Sequence, residues 1–283
     1  MAAMEIQLGD ERLLLLEEHL TSDEIQQKAM DKRVNAFGGG IGGLLQRPKA
    51  EEVTFVARQR RLMPFWHVAA TSHYVYERNR DYTVAAVSSE VTAVTVHGQR
   101  HEMNERLGSH AAFRLPLLEH CQNDFRSESF TDGLTGAAVA DGPAVITGPK
   151  SEISDLQTLE TAETIVVPPE QRASFVVRKT LADVMKPVQA DRIVEETIVL
   201  QTTDLYYRPV WAFEFAWRDK KGVVEIDSIT GQVQTGKAMM TQVKGLLNRD
   251  LLFDIGADTV GLFVPGGSIA VKLAKAAIDT NRK

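Results

Sequence analysis

Histidine, cysteine and glycine are the residue types through which this chain could do chemistry, and their spacing limits what each can do. His67 and His73 fall on one face of an extended run, six residues apart. At about 3.3 Å per residue they stand roughly 20 Å from each other, too far to share a metal ion without ligands from elsewhere. His97 and His101 flank a tight turn, with Glu102 adjacent. A zinc site needs three or four ligands in a tetrahedron, and two at most are offered here, so no metal is expected. Cys121 follows His120 in LPLLEHCQNDF, which reads as a short helix over 116–125. Neighbours on a helix point apart, so this pair is not a nucleophile with its base, and a structural cysteine is expected.

The run FGGGIGGLL (37–45) invites a phosphate-loop reading. Such a loop follows a strand, opens a helix and supplies Lys-Ser/Thr. This one follows a helical stretch and continues into Leu44-Leu45-Gln46, so a hinge is expected. It and GLFVPGGSIAV (261–271) are both glycine-apolar, the kind of segment that packs closely, oligomerises or rests on a membrane surface. RQRR (58–61), with Arg78 and Arg80 among Trp66, Tyr74 and Tyr76, has the composition of a platform for single-stranded nucleic acid. Period two sends Arg58 and Arg60 away from Arg61, and a strand edge blunted against aggregation is the commoner use of such charges. No Gly-x-Ser-x-Gly, His-Glu-x-x-His or paired-carboxylate helix motif is present. The residues name no catalytic, cofactor-binding or metal-binding position.

The elements that would have to position these groups are bounded first by composition. With 283 residues, 43% hydrophobic and 25% charged, the chain can bury a large core. A net charge of −6 argues against wholesale electrostatic binding of nucleic acid. A single cysteine fits a reducing compartment. The N-terminus carries acids where an export signal needs Lys or Arg, and no run reaches about 18 uninterrupted apolar residues. A cytoplasmic protein is the expectation.

Asp10 is placed to cap a short helix through Leu20, and Thr21 with Glu24 forms a capping box for a second helix over 22–36. From Glu51 the period changes to two: a strand reaches Tyr76, ERNRD (77–81) reads as a polar turn, and a hairpin turns at His97-Gly98. Pro168 and Pro169 open a helix to Lys186. A strand over 193–207 follows, with Pro209 at an edge or bulge. Trp211, Phe213, Phe215 and Trp217 then share one strand face, which the 169–186 helix is expected to cover. Helices are expected over 237–253 and 268–281.

EEVTFVARQRRLMPFWHVAA from Glu51 and ETIVLQTTDLYYRPVWAFEF from Glu196 match without a gap, Pro64 falling on Pro209 and Trp66 on Trp211. The match implies a duplicated α+β unit, helix plus three-strand meander, with Pro64, Trp66, Pro209, Trp211, Phe213, Phe215 and Trp217 as its core. The boundaries read as N-terminal helices and hinge (1–50), first meander (51–103), connector (104–168), second helix–meander (169–236) and C-terminal helices (237–283). In EIDSITGQV, Asp227, Thr230, Gly231 and Val233 resemble the closing hairpin of PepSY-type domains. That resemblance implies a helix followed by a meander, and association with proteins rather than catalysis. The functional expectation is a non-enzymatic interaction or scaffold module that binds a protein partner or itself. The alternatives are a small-molecule binding protein or enzyme with a pocket between the matched units, and a peripheral membrane protein using 37–45 and 261–271.

Overall fold

The computed structural model describes residues 5–37, 48–236, 252–253 and 272–275. Strands take 54% of the described residues and helices 18%. This overturns the α+β expectation of two separate helix-plus-meander units: nearly all strands join one mixed sheet. In chain order the elements begin with β1 (Glu5–Leu8), β2 (Glu11–Leu16) and α1 (Ser22–Lys32). Next come β3 (Thr54–Ala85), β4 (Ala93–Val96), β5 (Gln99–Glu102), β6 (Glu105–Leu107) and β7 (His110–Asp132). The short pieces α2 (Gly142–Val145), β8 (Lys150–Glu152) and β9 (Thr164–Val166) lead to α3 (Ala173–Val184) and β10 (Arg192–Trp217). The chain closes on β11 (Lys220–Asp227), β12 (Val233–Gly236) and β13 (Lys272–Lys275). The large sheet runs β12-β11-β10-β3-β7-β6, with β1, β2 and β9 adding in parallel to the free flanks of β10 and β3.

Several local expectations change. Glu11–Leu16 is a strand, not a helix, paired in the sheet beside β10, with Leu13 buried on one face and Leu14 and Leu16 on the other. Residues 77–81 are no turn, since β3 runs straight through them against β7 and, at Glu77, β10. The 116–125 segment lies inside β7, and Lys272–Lys275 is a strand within the segment expected to be a helix over 268–281. The glycine run 38–43, segment 261–271 and nearly all of the 237–253 helix lie outside the described residues. Other expectations hold: Glu24 N donates to Thr21 Oγ1 (3.3 Å) and Thr21 N to the Glu24 carboxylate (2.8 Å), closing the capping box of α1. The His97-Gly98 turn joins β4 to β5 with both residues at positive φ.

The two matched segments are neighbours, β3 beside β10 in antiparallel register. Trp66 lies opposite Leu205 and Trp211 opposite Arg60, so the pairing reads the same from either strand about the Met63–Arg208 pair. Both prolines occupy the same kind of position. Pro64 sits where the flank of β3 changes from β9, which ends opposite Leu62, to β7, which starts opposite Phe65. Pro209 sits where the flank of β10 changes from β2, ending opposite Tyr207, to β11, starting opposite Val210. Neither is an edge or a bulge. A residue with no N–H belongs at such a junction, where no strand is there to accept from it.

One face of this sheet carries two apolar clusters. Leu62, Trp66, Val68, Leu205 and Tyr207 pack under α3, through Val176, Val177, Leu181 and Val184. Phe213, Phe215 and Trp217 pack under α1, through Ile25 and Ala29, with Phe37 edge-on to Trp217 at 5.9 Å. The expectation that the 169–186 helix covers the Trp211–Trp217 face is therefore wrong. Strand pairing carries that face away from α3 and beneath the earlier helix. Trp66 is fully buried while Trp211 is partly exposed. Their indole N–H groups donate to Gln171 O (2.7 Å) and Glu18 Oε2 (2.9 Å), which lie in the loops entering α3 and α1.

Candidate functional site

The other face of the sheet holds the polar chemistry. Odd residues of β3 and even residues of β10 point to it, and beside Met63 and Arg208 it opens a cavity of about 400 Å³. Arg61, Asp132, Asp141, Val210, Glu225 and Asp227 are among its walls. Arg208 reaches Asp141 through two hydrogen bonds, Nη1 to Oδ1 (3.1 Å) and Nη2 to Oδ2 (2.7 Å), and its Nε pairs with Asp227. Burial works to lower the pKa of Arg208, but the hydrogen bonds and charges of Asp141 and Asp227 prevail and raise it. The Arg208 hydrogen bonds in turn hold Asp141 below the usual carboxylate value. Arg61 pairs with Glu225, yet burial dominates and lowers its pKa. The cations of this cavity are clamped by the protein's own acids, which suits a structural network better than a catalytic one.

Two identical turns frame the cavity. Asp227 Oδ1 accepts from the N–H of Ile229 and Thr230, both at 2.8 Å, and Gly231 follows with φ +71°. Asp132 Oδ1 accepts from Leu134 (3.0 Å) and Thr135 (2.8 Å), and Gly136 follows with φ +73°. Asp132 is opposite Phe65 and Asp227 opposite Val210, which the matched segments also align. The Asp-x-x-Thr-Gly turn therefore occurs in both halves. Glycine is needed at each fifth position, because only glycine adopts that left-handed backbone without strain.

Further along the same face, His67 stacks flat on Phe130, centroids 4.5 Å apart, with Nε2 2.8 Å from Glu128. Its Nδ1 is buried without a hydrogen bond, 3.9 Å from the fully buried Asp204 carboxylate. Arg12 holds Asp204 through Nε (2.8 Å) and Nη2 (2.6 Å). Burial opposes the charge on Asp204, but His67 and Arg12 win and lower its pKa. This line of charges, Arg12–Asp204–His67–Glu128, has the form of a second clamp.

The histidines and the cysteine stay apart. His73 pairs with Asp124 (2.6 Å) in a shallow groove of about 230 Å³, His120 reaches Glu77 (3.3 Å), and His101 packs near Phe113. Because Cys121 and His120 lie on a strand, they point to opposite faces. Among the described residues no group of three metal-binding side chains forms, and no helix is long and apolar enough to cross a membrane. RQRR divides as its period implies: Arg60 pairs with Glu18, Arg58 with Glu163 and Arg61 with Glu225.

The feature no motif announced is the outer edge of β7. Its inner edge pairs with β3 from Asp132 to Ala112, while among the described residues its outer edge meets only β6 near His110–Ala112 and Ala138 at Thr131. From Phe113 to Ser129 it has no strand partner among the described residues. Arg126 on this edge has no hydrogen-bond or ion-pair partner among them either, whereas the other arginines named above do. No protein-family model, curated protein or solved structure matches the chain.

Proposed function

We propose that this protein is a non-enzymatic interaction module that accepts an extended strand along the outer edge of β7. The observation that carries the proposal is that edge: a long row of backbone donors and acceptors without partners among the described residues, on a strand fixed by β3. Unpaired edges of this kind recruit strands from other chains unless bulges, cover or short length prevent it. β7 is long and pairs with β3 without a bulge. Its one proline, Pro116, leaves the stretch beyond it able to donate. The module is read as working in the cytoplasm, and the matched segments as a duplication that built the platform holding β7.

The test is a photoreactive side chain at His120, whose imidazole is well exposed on the edge, used in native extract with and without Gln122→Pro. Proline at 122 removes an edge donor while keeping the ladder to β3. The proposal expects a covalent adduct to an extended segment of this or another protein, lost with the proline. An absence of adducts at His120, or adducts unaffected by the proline, would overturn it. A second reading, a small polar ligand in the cavity beside Met63 and Arg208, is favoured only by the volume there. It expects ligand binding that Arg208→Met abolishes.

A further inference from the structure

We infer that the outer edge of β7 pairs with the same edge of a second copy of this chain, antiparallel and centred on Phe125. The inference rests on the strand-addition reading and names its partner. Ala86 N donates to Ala111 O (2.7 Å) and Gly133 N to Pro64 O (2.9 Å), so odd-numbered residues of β7 turn their backbone groups towards β3. Phe130 O accepts from Val139 N (2.9 Å) and Asp132 N donates to Ala137 O (2.8 Å), so even-numbered ones turn outward. The register between is unbroken from Ala112 to Asp132. Pro116 is even-numbered, so the N–H it lacks belongs to the open side.

Two strands related by a two-fold axis through the sheet keep their faces, so even residues meet even residues. Centred on Phe125, the segment QNDFRSE (122–128) is its own complement. Gln122 meets Glu128, Asn123 meets Ser127, and Asp124 meets Arg126, each twice, while Phe125 meets itself. Arg126, without a partner among the described residues of its own chain, gains the carboxylate of Asp124 from the second copy. Opposite charges directly across a strand pair stabilise it and like charges destabilise it. The neighbouring registers fail on that rule: centred on Asp124 or Arg126, the strand sets like charges against each other. Centred on Cys121, it sets Pro116 opposite Arg126 and loses a hydrogen bond. The Phe125 register runs between Cys121 and Ser129, clear of both Pro116 and the Ala138 bridge.

Sedimentation of the purified chain tests this, with thermal unfolding to show that each variant folds. A dimer is expected, its dissociation constant raised roughly tenfold or more by Asp124→Arg or Arg126→Asp alone, and recovered when both are combined. Register is read by Phe125→Cys in a Cys121→Ser background. Residues facing each other outside the hydrogen-bonded pairs stand about 4.5 Å apart at Cα, within reach of a disulfide. Spontaneous dimer cross-linking through position 125 supports the inference. A chain that stays monomeric, a dimer indifferent to both charge reversals, or a wild-type chain that cross-links through Cys121 while the Phe125→Cys variant does not cross-link overturns it. Should the chain stay monomeric while His120 still captures a different protein in extract, the strand-addition reading survives and this inference does not.

Discussion

Replacing Arg208 by methionine should cost about 2–3 kcal/mol at pH 7, most of it from one buried carboxylate. The side chain is 13% exposed and joins Asp141 on the α2 segment to Asp227 at the end of β11. Asp141 is 37% exposed, so its two hydrogen bonds count as a surface pair, about 0.5–1 kcal/mol. Asp227 is 9% exposed and keeps two backbone donors on Oδ1, but loses the one cation that pairs with Oδ2 among the described residues. Leaving that desolvated carboxylate without its counter-charge costs about 2 kcal/mol. The pH dependence has a definite sign. Asp141 has a folded pKa below its unfolded value, so its share is present above about pH 4 and is lost as pH falls through the depressed value. Urea unfolding of wild type and Arg208→Met at pH 7 and near pH 3 is the assay, with the slope checked for change. A deficit below about 0.5 kcal/mol at pH 7, or one abolished by moderate salt as a fully solvated pair would be, would refute the reasoning.

Phe213→Ala, in the cluster beneath α1, should cost roughly 3–5 kcal/mol in the same assay, and an unchanged midpoint would place that face in solvent. Gly136→Ala and Gly231→Ala should each cost about 1–2 kcal/mol, equally within error, because both turns hold that residue at nearly the same positive φ. A large difference between them would deny the turns their equivalence. Burial raises Tyr74 and Tyr206 to about 12. Their stabilisation is complete below the unfolded value near 10 and is lost as pH rises through about 12. Ultraviolet titration should show those two phenols ionising late, and full ionisation by about pH 10.5 in the folded protein would contradict their burial.

What the sequence disclosed was local. The Thr21–Glu24 box, the His97-Gly98 turn and the Gly231 turn depend on neighbours within a few residues, and each is present. The failures were of two kinds. Four consecutive leucines at 13–16 and the mixed run LPLLEHCQNDF have no clean period, since a strand packed on both faces and a half-exposed edge strand both lose alternation. Pairing between distant strands was the other. It alone decides that α3 lies over Trp66 and α1 over Phe213. The second Asp-x-x-Thr-Gly, at Asp132–Gly136, was legible all along. It falls outside the gapless match because the long excursion between β3 and β7 shifts it away from the spacing that aligns Trp66 with Trp211. The β7 edge, by contrast, carries no local signal, because an edge is defined by the strand that is missing beside it.

Amide hydrogen exchange along β7, measured from dilute to concentrated protein, tests the central claim most directly. In dilute solution the amides of Gln122, Asp124, Arg126 and Glu128 should exchange fast, and those of Asn123, Phe125 and Ser127, turned towards β3, slowly. Raising the concentration should slow only the even-numbered set. Even-numbered amides already protected at the lowest concentration, or equally fast at every concentration, would contradict an edge that is open in the single chain and closed by a second copy.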